Sequence, residues 1–144
     1  MGLENWFEQG KLLKHKTTKD EIDTIYGVVE RNFKDASING LSSDQKYILS
    51  YQAAFEAAAV LIKRHGYRPI KAGHHYIIWQ CLKEVLDKKY YSTILLFENA
   101  AKKRNKLNYD IAGLASEKEA DEMYMEARDF VSAIKKEIAD TFPR

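Results

Sequence analysis

The sequence has 144 residues, of which 45% are hydrophobic and 31% are charged, and its net charge is +2. This length predicts a single domain over residues 1–144 that can bury a core without disulfides or metal ions. The composition excludes a disordered chain, and the small net charge means that nucleic-acid binding must depend on local clusters of charge. Cys81 is the only cysteine, so no intramolecular disulfide can form and we expect a reducing, cytoplasmic setting.

The N-terminus lacks the basic start and apolar run of a signal peptide. No stretch approaches the roughly 18 consecutive apolar residues that a membrane span requires. We therefore expect a protein without a membrane partner.

The first half of the chain predicts two helices after a basic N-terminal arm or short helix at residues 1–16. The first helix begins after Thr18, whose spacing to Glu21 is that of a capping box. It ends at Asn39-Gly40, since both residues tolerate the left-handed conformation of a helix exit. The second helix follows Ser42 and stops at His65-Gly66.

The second half predicts three more helices with short connections. A third helix runs from about Ala72 to Lys88, and a fourth begins near Ser92, followed by a loop at 110–113. A fifth opens with a capping box at Ser116 and is stopped by Pro143. No segment alternates polar and apolar residues long enough to predict a strand. The expected fold class is therefore all-α, a bundle of about five helices.

The densest unusual segment lies at the end of the fourth helix, where four basic side chains fall within five positions: Lys102, Lys103, Arg104 and Lys106. One interpretation is a solvated basic turn that complements the negative end of the helix dipole. The other is a nucleic-acid site, because an arginine is a planar donor fork suited to phosphate oxygens. Asn105 can donate and accept beside it, and Tyr109 can supply a hydroxyl or an aromatic face for a base.

Two histidines and one glutamate are further candidates. Adjacent residues on a helix point about 100° apart, so we expect only one of His74 and His75 to face inward. That histidine is either a structural core residue or an acid/base that meets Arg104 across the bundle or a dimer groove. Glu56 either belongs to an exposed polar stripe or orients Arg104. No spacing of ligands predicts a metal site, and no motif predicts a cofactor.

These motifs, in this order, resemble the HEPN superfamily, the higher-eukaryote and prokaryote nucleotide-binding domains. Arg104-Asn105 near the end of the penultimate long helix looks like the HEPN motif. The resemblance to one prokaryotic branch runs from about Thr18 to Val131, and four segments carry it: 41–45 opening an alanine-rich helix, Gly66-Tyr67-Arg68 after it, His74-His75, and Arg104-Asn105 with Tyr109-Asp110.

The resemblance implies a homodimer that acts on RNA or a nucleotide. Many HEPN domains are metal-independent endoribonucleases, in which arginine and histidine of two subunits promote attack of a ribose 2′-hydroxyl on the adjacent phosphate. It also implies a role in a toxin–antitoxin or defence system, with a cognate antitoxin or nucleotidyltransferase as partner. The alternative is a non-catalytic dimeric binding or interaction module.

The sequence departs from the HEPN motif at the place of its histidine. Tyr109 and Asp110 stand where the motif has its histidine. A tyrosine with a pKa near 10 is a poor general base at neutral pH. The roles of Arg104 and Asn105 therefore carry over and the role of the histidine does not, which leaves open whether the chain is an enzyme.

Overall fold

The computed structural model of the chain describes residues 2–109 and 112–142, and the side chains of all of these except residues 107–109. The described residues form six α-helices: α1 Leu3–Glu8, α2 Lys19–Ala36, α3 Ser43–Arg64, α4 His74–Val85, α5 Tyr91–Tyr109 and α6 Glu117–Thr141. A 3-10 turn at Lys88–Tyr90 precedes α5, and two short strands, β1 Leu12–Lys14 and β2 Tyr67–Pro69, pair with each other. The predicted all-α class is confirmed.

Helix α3 is the centre of the bundle. It packs against α2, α4, α5 and α6. Its alanines at positions 53, 54, 57 and 58 have no exposed surface, and these small side chains allow neighbouring backbones to approach closely. The core beside α3 is aromatic: the ring of Trp79 stacks on Phe97 with 5.2 Å between centroids, and Phe97 packs on Phe130 of α6 at 4.9 Å.

The prediction of no strand was wrong. β1 and β2 pair in antiparallel register, with Leu12 opposite Pro69 and Lys14 opposite Tyr67. A strand of three residues has no detectable alternation, and its pairing partner lies more than fifty residues away. The N-terminal arm thus contains both α1 and β1, and Leu12 is only 1% exposed. Burial of the Leu12 side chain therefore holds the arm against the hydrophobic core.

Several helix ends also differ from the predicted ones. α2 ends at Ala36, three residues before Asn39-Gly40. α4 is shorter at both ends than the predicted 72–88, because Gly73 before it adopts a left-handed φ of +71° and Leu86 after it is extended. Both hydrogen bonds of the capping box predicted at Ser116 are present. Asp110, Ile111 and Pro143 lie outside the described residues.

The capping box predicted at Thr18 is only half formed. The Thr18 hydroxyl accepts from the backbone N–H of Glu21, but the Glu21 carboxylate turns to the N-terminal arm and to α3. It accepts hydrogen bonds from Thr17, from His15 Nε2 at 2.8 Å and from Lys63 Nζ at 3.3 Å. Side-chain partners from the N-terminal arm and from α3 therefore replace the local backbone donor.

Among residues 2–109 and 112–142, no helix combines the length and apolar character needed to cross a membrane.

The Glu21 cluster should make stability depend on acid pH. Hydrogen bonds from Thr17 and His15, together with the Lys63 charge, lower the pKa of Glu21 from 4.5 to about 2. A carboxyl with a depressed folded-state pKa stabilises the fold above its unfolded pKa, and this contribution is lost as the pH falls toward 2. We expect Glu21→Gln to remove roughly 1 kcal/mol of unfolding free energy at pH 7 and to flatten the stability profile between about pH 5 and pH 2.

Urea denaturation followed by circular dichroism at a series of pH values measures this effect. Glu126→Gln, at an exposed position of α6, is the matched control. An equal flattening in both variants contradicts the prediction.

Candidate functional site: a cationic cavity between three helices

A cavity of about 750 Å³ lies between α3, α4 and α5. Its lining includes side chains from all three helices and from the loop before α4: Gln52, Lys71, His74, His75, Tyr76, Trp79, Glu98, Lys102, Arg104 and Asn105. The fold thus brings the histidine pair and the Arg104-Asn105 pair, some thirty residues apart in sequence, around one space.

The charge of the lining favours an anion. Lys71, Lys102 and Arg104 contribute three cations, and none of them has an ion-pair partner within the described part of the chain. Glu98 is the acid in the lining, and its carboxylate is paired with Lys83 at 3.0 Å. The positive charge facing the cavity is therefore not neutralised from within.

Three polar atoms of the lining are buried without a hydrogen-bond partner among the described residues, and Glu98 Oε1 is the one of them that has an ion pair, with Lys83. The other two have neither kind of partner. One is the donor Nε of Arg104, and the other is the acceptor Oε1 of Gln52. Arg104 is half-buried, and its side-chain hydrogen bond is a long one of 3.5 Å from Nη1 to Asn105 Oδ1. Buried polar groups are nearly always paired in folded proteins, so these two atoms mark a place where a polar ligand or water belongs.

His75 is the inward-facing histidine of the pair. It is half-buried while His74 is exposed, and its ring stacks on Phe55 with 3.8 Å between centroids. Its Nδ1 lies 2.7 Å from the hydroxyl of Tyr51, which also accepts a hydrogen bond from Trp79 Nε1 at 3.0 Å. Three aromatic side chains therefore fix the orientation of the imidazole.

Electrostatics keep His75 neutral at physiological pH. Burial, and then the charges of His74 and Arg104, lower the pKa of His75 from 6.5 to about 4. Burial also raises the pKa of Tyr51 well above its usual value, with the Arg104 charge acting in the opposite direction. Arg104 thus lies close enough to act electrostatically on both residues.

The other predicted residues lie in different surroundings. Lys103 turns to α6, where it pairs with Glu119 at 2.7 Å and lies over the Tyr47 ring. Lys106 is exposed and does not line the cavity. Glu56 is half-buried and accepts a hydrogen bond from Gln52 at 2.9 Å. The side chain of Tyr109 and the whole of Asp110 lie outside the described residues.

Sequence reasoning did not single out Tyr51, Trp79 or Glu98 as residues of this site. One signal was available, because Tyr51 and Phe55, like His75 and Trp79, stand four residues apart and share a helix face. That two such faces meet is a property of the tertiary packing. The described residues contain no group of three or more His, Cys, Asp or Glu side chains that could hold a metal ion.

A family model of HEPN-like domains matches residues 39–135, about two thirds of the chain. The chain belongs to the HEPN superfamily. The matched HEPN region contains the cavity, from Gln52 to Asn105, and most of α6. No curated protein and no solved structure shows a significant match to the chain.

The buried Tyr51 hydroxyl should be important for the stability of this HEPN domain. Tyr51→Phe leaves Trp79 Nε1–H without an acceptor and removes the partner of His75 Nδ1. A buried donor left unpaired costs about 1–3 kcal/mol, so we expect the unfolding free energy to fall by that amount in chemical denaturation. Tyr76→Phe, at a side chain that is 63% exposed, should change it by less than about 0.5 kcal/mol.

Proposed function

We propose that this HEPN domain acts on RNA, or on a related nucleotide ligand, whose phosphate enters the cavity and is bound by Arg104. The observation that carries the proposal is the state of Arg104. It is a half-buried cation without an ion pair among the described residues, with an unpaired buried Nε, in the same cavity as both histidines. A phosphate stabilises a guanidinium in this state more than it stabilises a fully solvated guanidinium, because the charge is already partly removed from water.

The reaction we propose is metal-independent cleavage of RNA. A ribose 2′-hydroxyl loses its proton and attacks the adjacent phosphorus, and the bond from phosphorus to the 5′-oxygen breaks. Arg104 donates to the phosphate oxygens as their charge increases, and Asn105 lies beside it to orient the guanidinium or the ribose. The histidine pair supplies the acid/base group that the motif lacks at Tyr109.

The wider setting of the proposal follows the superfamily. We propose a cytoplasmic homodimer in which two copies of Arg104 face one groove, with Lys102 and Lys106 extending its positive surface. The biological role is in a toxin–antitoxin or defence system, with a cognate antitoxin or nucleotidyltransferase as the partner.

A second candidate function is a non-catalytic dimeric binding module. One observation favours it: the inward edge of His75 is already hydrogen-bonded to Tyr51, as in a structural core histidine. In that case the phosphate group of the ligand binds in the cavity and no phosphodiester bond is cleaved.

Substitution of Arg104 tests the proposal. We expect Arg104→Ala to lower RNA cleavage by at least about 100-fold, the usual effect of removing one donor to a charged transition state. Arg104→Lys should be intermediate, because a lysine keeps the charge and loses the planar fork. The assay follows end-labelled RNA in the presence of EDTA and identifies 2′,3′-cyclic phosphate ends.

Arg31→Ala, at an exposed arginine of α2, controls for the loss of a positive charge, and thermal unfolding of each variant controls for folding. RNA that binds in an Arg104-dependent way and stays intact supports the binding module. Diverse RNAs that neither bind nor break would exclude both functions.

A further inference from the structure

The two histidines of the cavity have different partners at Nδ1. His74 Nδ1 lies 3.0 Å from the backbone carbonyl oxygen of Lys71. A carbonyl oxygen can only accept, so Nδ1 of His74 carries the proton. In the neutral imidazole the lone pair is then on Nε2, which makes that atom a proton acceptor.

His75 has the opposite arrangement. The Tyr51 side chain has no exposed surface, and its oxygen takes the Trp79 Nε1–H, which can only donate. Within the described part of the chain, His75 Nδ1 is the other hydrogen-bond partner of this hydroxyl, at 2.7 Å. The hydroxyl therefore donates its own proton to His75 Nδ1. The reverse arrangement brings two donors to one oxygen and leaves a buried O–H unpaired.

We propose that the fold holds His74 and His75 as opposite neutral tautomers, so that His74 Nε2 is the general base and His75 Nε2–H is a donor to the bound phosphate. This inference rests on the proposed function and assigns a separate role to each histidine. Tyr51 and Trp79 are positioning residues in it, since they act on the ligand only through His75.

The location of the two rings agrees with this division of roles. Both line the cavity, with 4.5 Å between their centroids. His74 is exposed, so that protons can exchange between its Nε2 and water. His75 is stacked on Phe55 and bound to Tyr51 through Nδ1, and no described residue is hydrogen-bonded to its Nε2, so this atom can bind a ligand. The lowered pKa of His75 keeps it a neutral donor at pH 7.

The chemical step balances with these groups. His74 Nε2 takes the proton of the 2′-hydroxyl, O2′ forms a bond to phosphorus, and the bond from phosphorus to O5′ breaks with its electron pair on O5′. That oxygen takes a proton from water, and His74 returns its proton to solvent. His75 Nε2–H and Arg104 donate to the non-bridging oxygens throughout.

The tautomers are measured directly on the full chain by two-bond nitrogen–proton correlation NMR at neutral pH, with 15N-labelled histidine. We expect unprotonated Nε2 in His74 and unprotonated Nδ1 in His75. In Tyr51→Phe, His75 should populate both tautomers while His74 stays unchanged. A proton on His75 Nδ1 or on His74 Nε2 in the wild type overturns the inference, whether or not RNA is cleaved.

Amide mimics test the two roles in the cleavage assay. An asparagine amide nitrogen replaces Nδ1, so His74→Asn can still donate to the Lys71 carbonyl but has no base. A glutamine amide nitrogen replaces Nε2, so His75→Gln keeps the donor. We expect cleavage to fall by about 100-fold or more in His74→Asn, and by less than about tenfold in His75→Gln.

The reverse pattern, with loss in His75→Gln and activity in His74→Asn, contradicts the assigned roles. His75→Ala removes the Nε2–H donor, and its cleavage rate should be well below that of His75→Gln. If the wild type cleaves no RNA although the tautomers are as assigned, the proposed ribonuclease function fails and the tautomer assignment stands.

Discussion

The hydroxyl group of Tyr51 has no exposed surface and hydrogen-bonds two side chains one turn apart on α4, His75 and Trp79. A buried hydroxyl must be paired. Rotation or sliding of α4 along α3 would break these hydrogen bonds and lower the stability of the fold. Trp79 extends the constraint by stacking on Phe97 of α5, the helix that carries Arg104. The packing of the core therefore sets the position of His75 relative to Arg104.

The same packing determines the charge of the site. Glu98 lies in the cavity lining on the same helix as Arg104, but its carboxylate is paired with Lys83. Lys103, next to Arg104 in sequence, points to α6 and pairs with Glu119. The helical period thus points the basic side chains in different directions. Lys103 links α5 to α6, whereas Lys102 and Arg104 line the cavity. Four neighbouring positive charges in a sequence do not by themselves make one surface.

Most of the fold was predictable because helices follow local rules. Apolar spacing and the Ser42 and Ser116 caps located the long helices. The failures were at places where a distant partner competed with a local one. Glu21 caps Thr18 in the prediction but binds His15 and Lys63 in the structure, and β1 exists only because β2 is beside it. The start of α4 depends on the turn at Gly73, which no apolar period reveals.

The sequence by itself determined the helical class, the HEPN resemblance and the pairs His74-His75 and Arg104-Asn105, because these depend on residue type and short-range order. The tertiary structure decided which of these residues share a cavity, which histidine is buried, and which nitrogen of the His75 ring carries its proton. The physical reason is that a protonation state depends on hydrogen-bond partners, and the partner of His75 is on another helix. Only the packing of α3 against α4 brings Tyr51 to it.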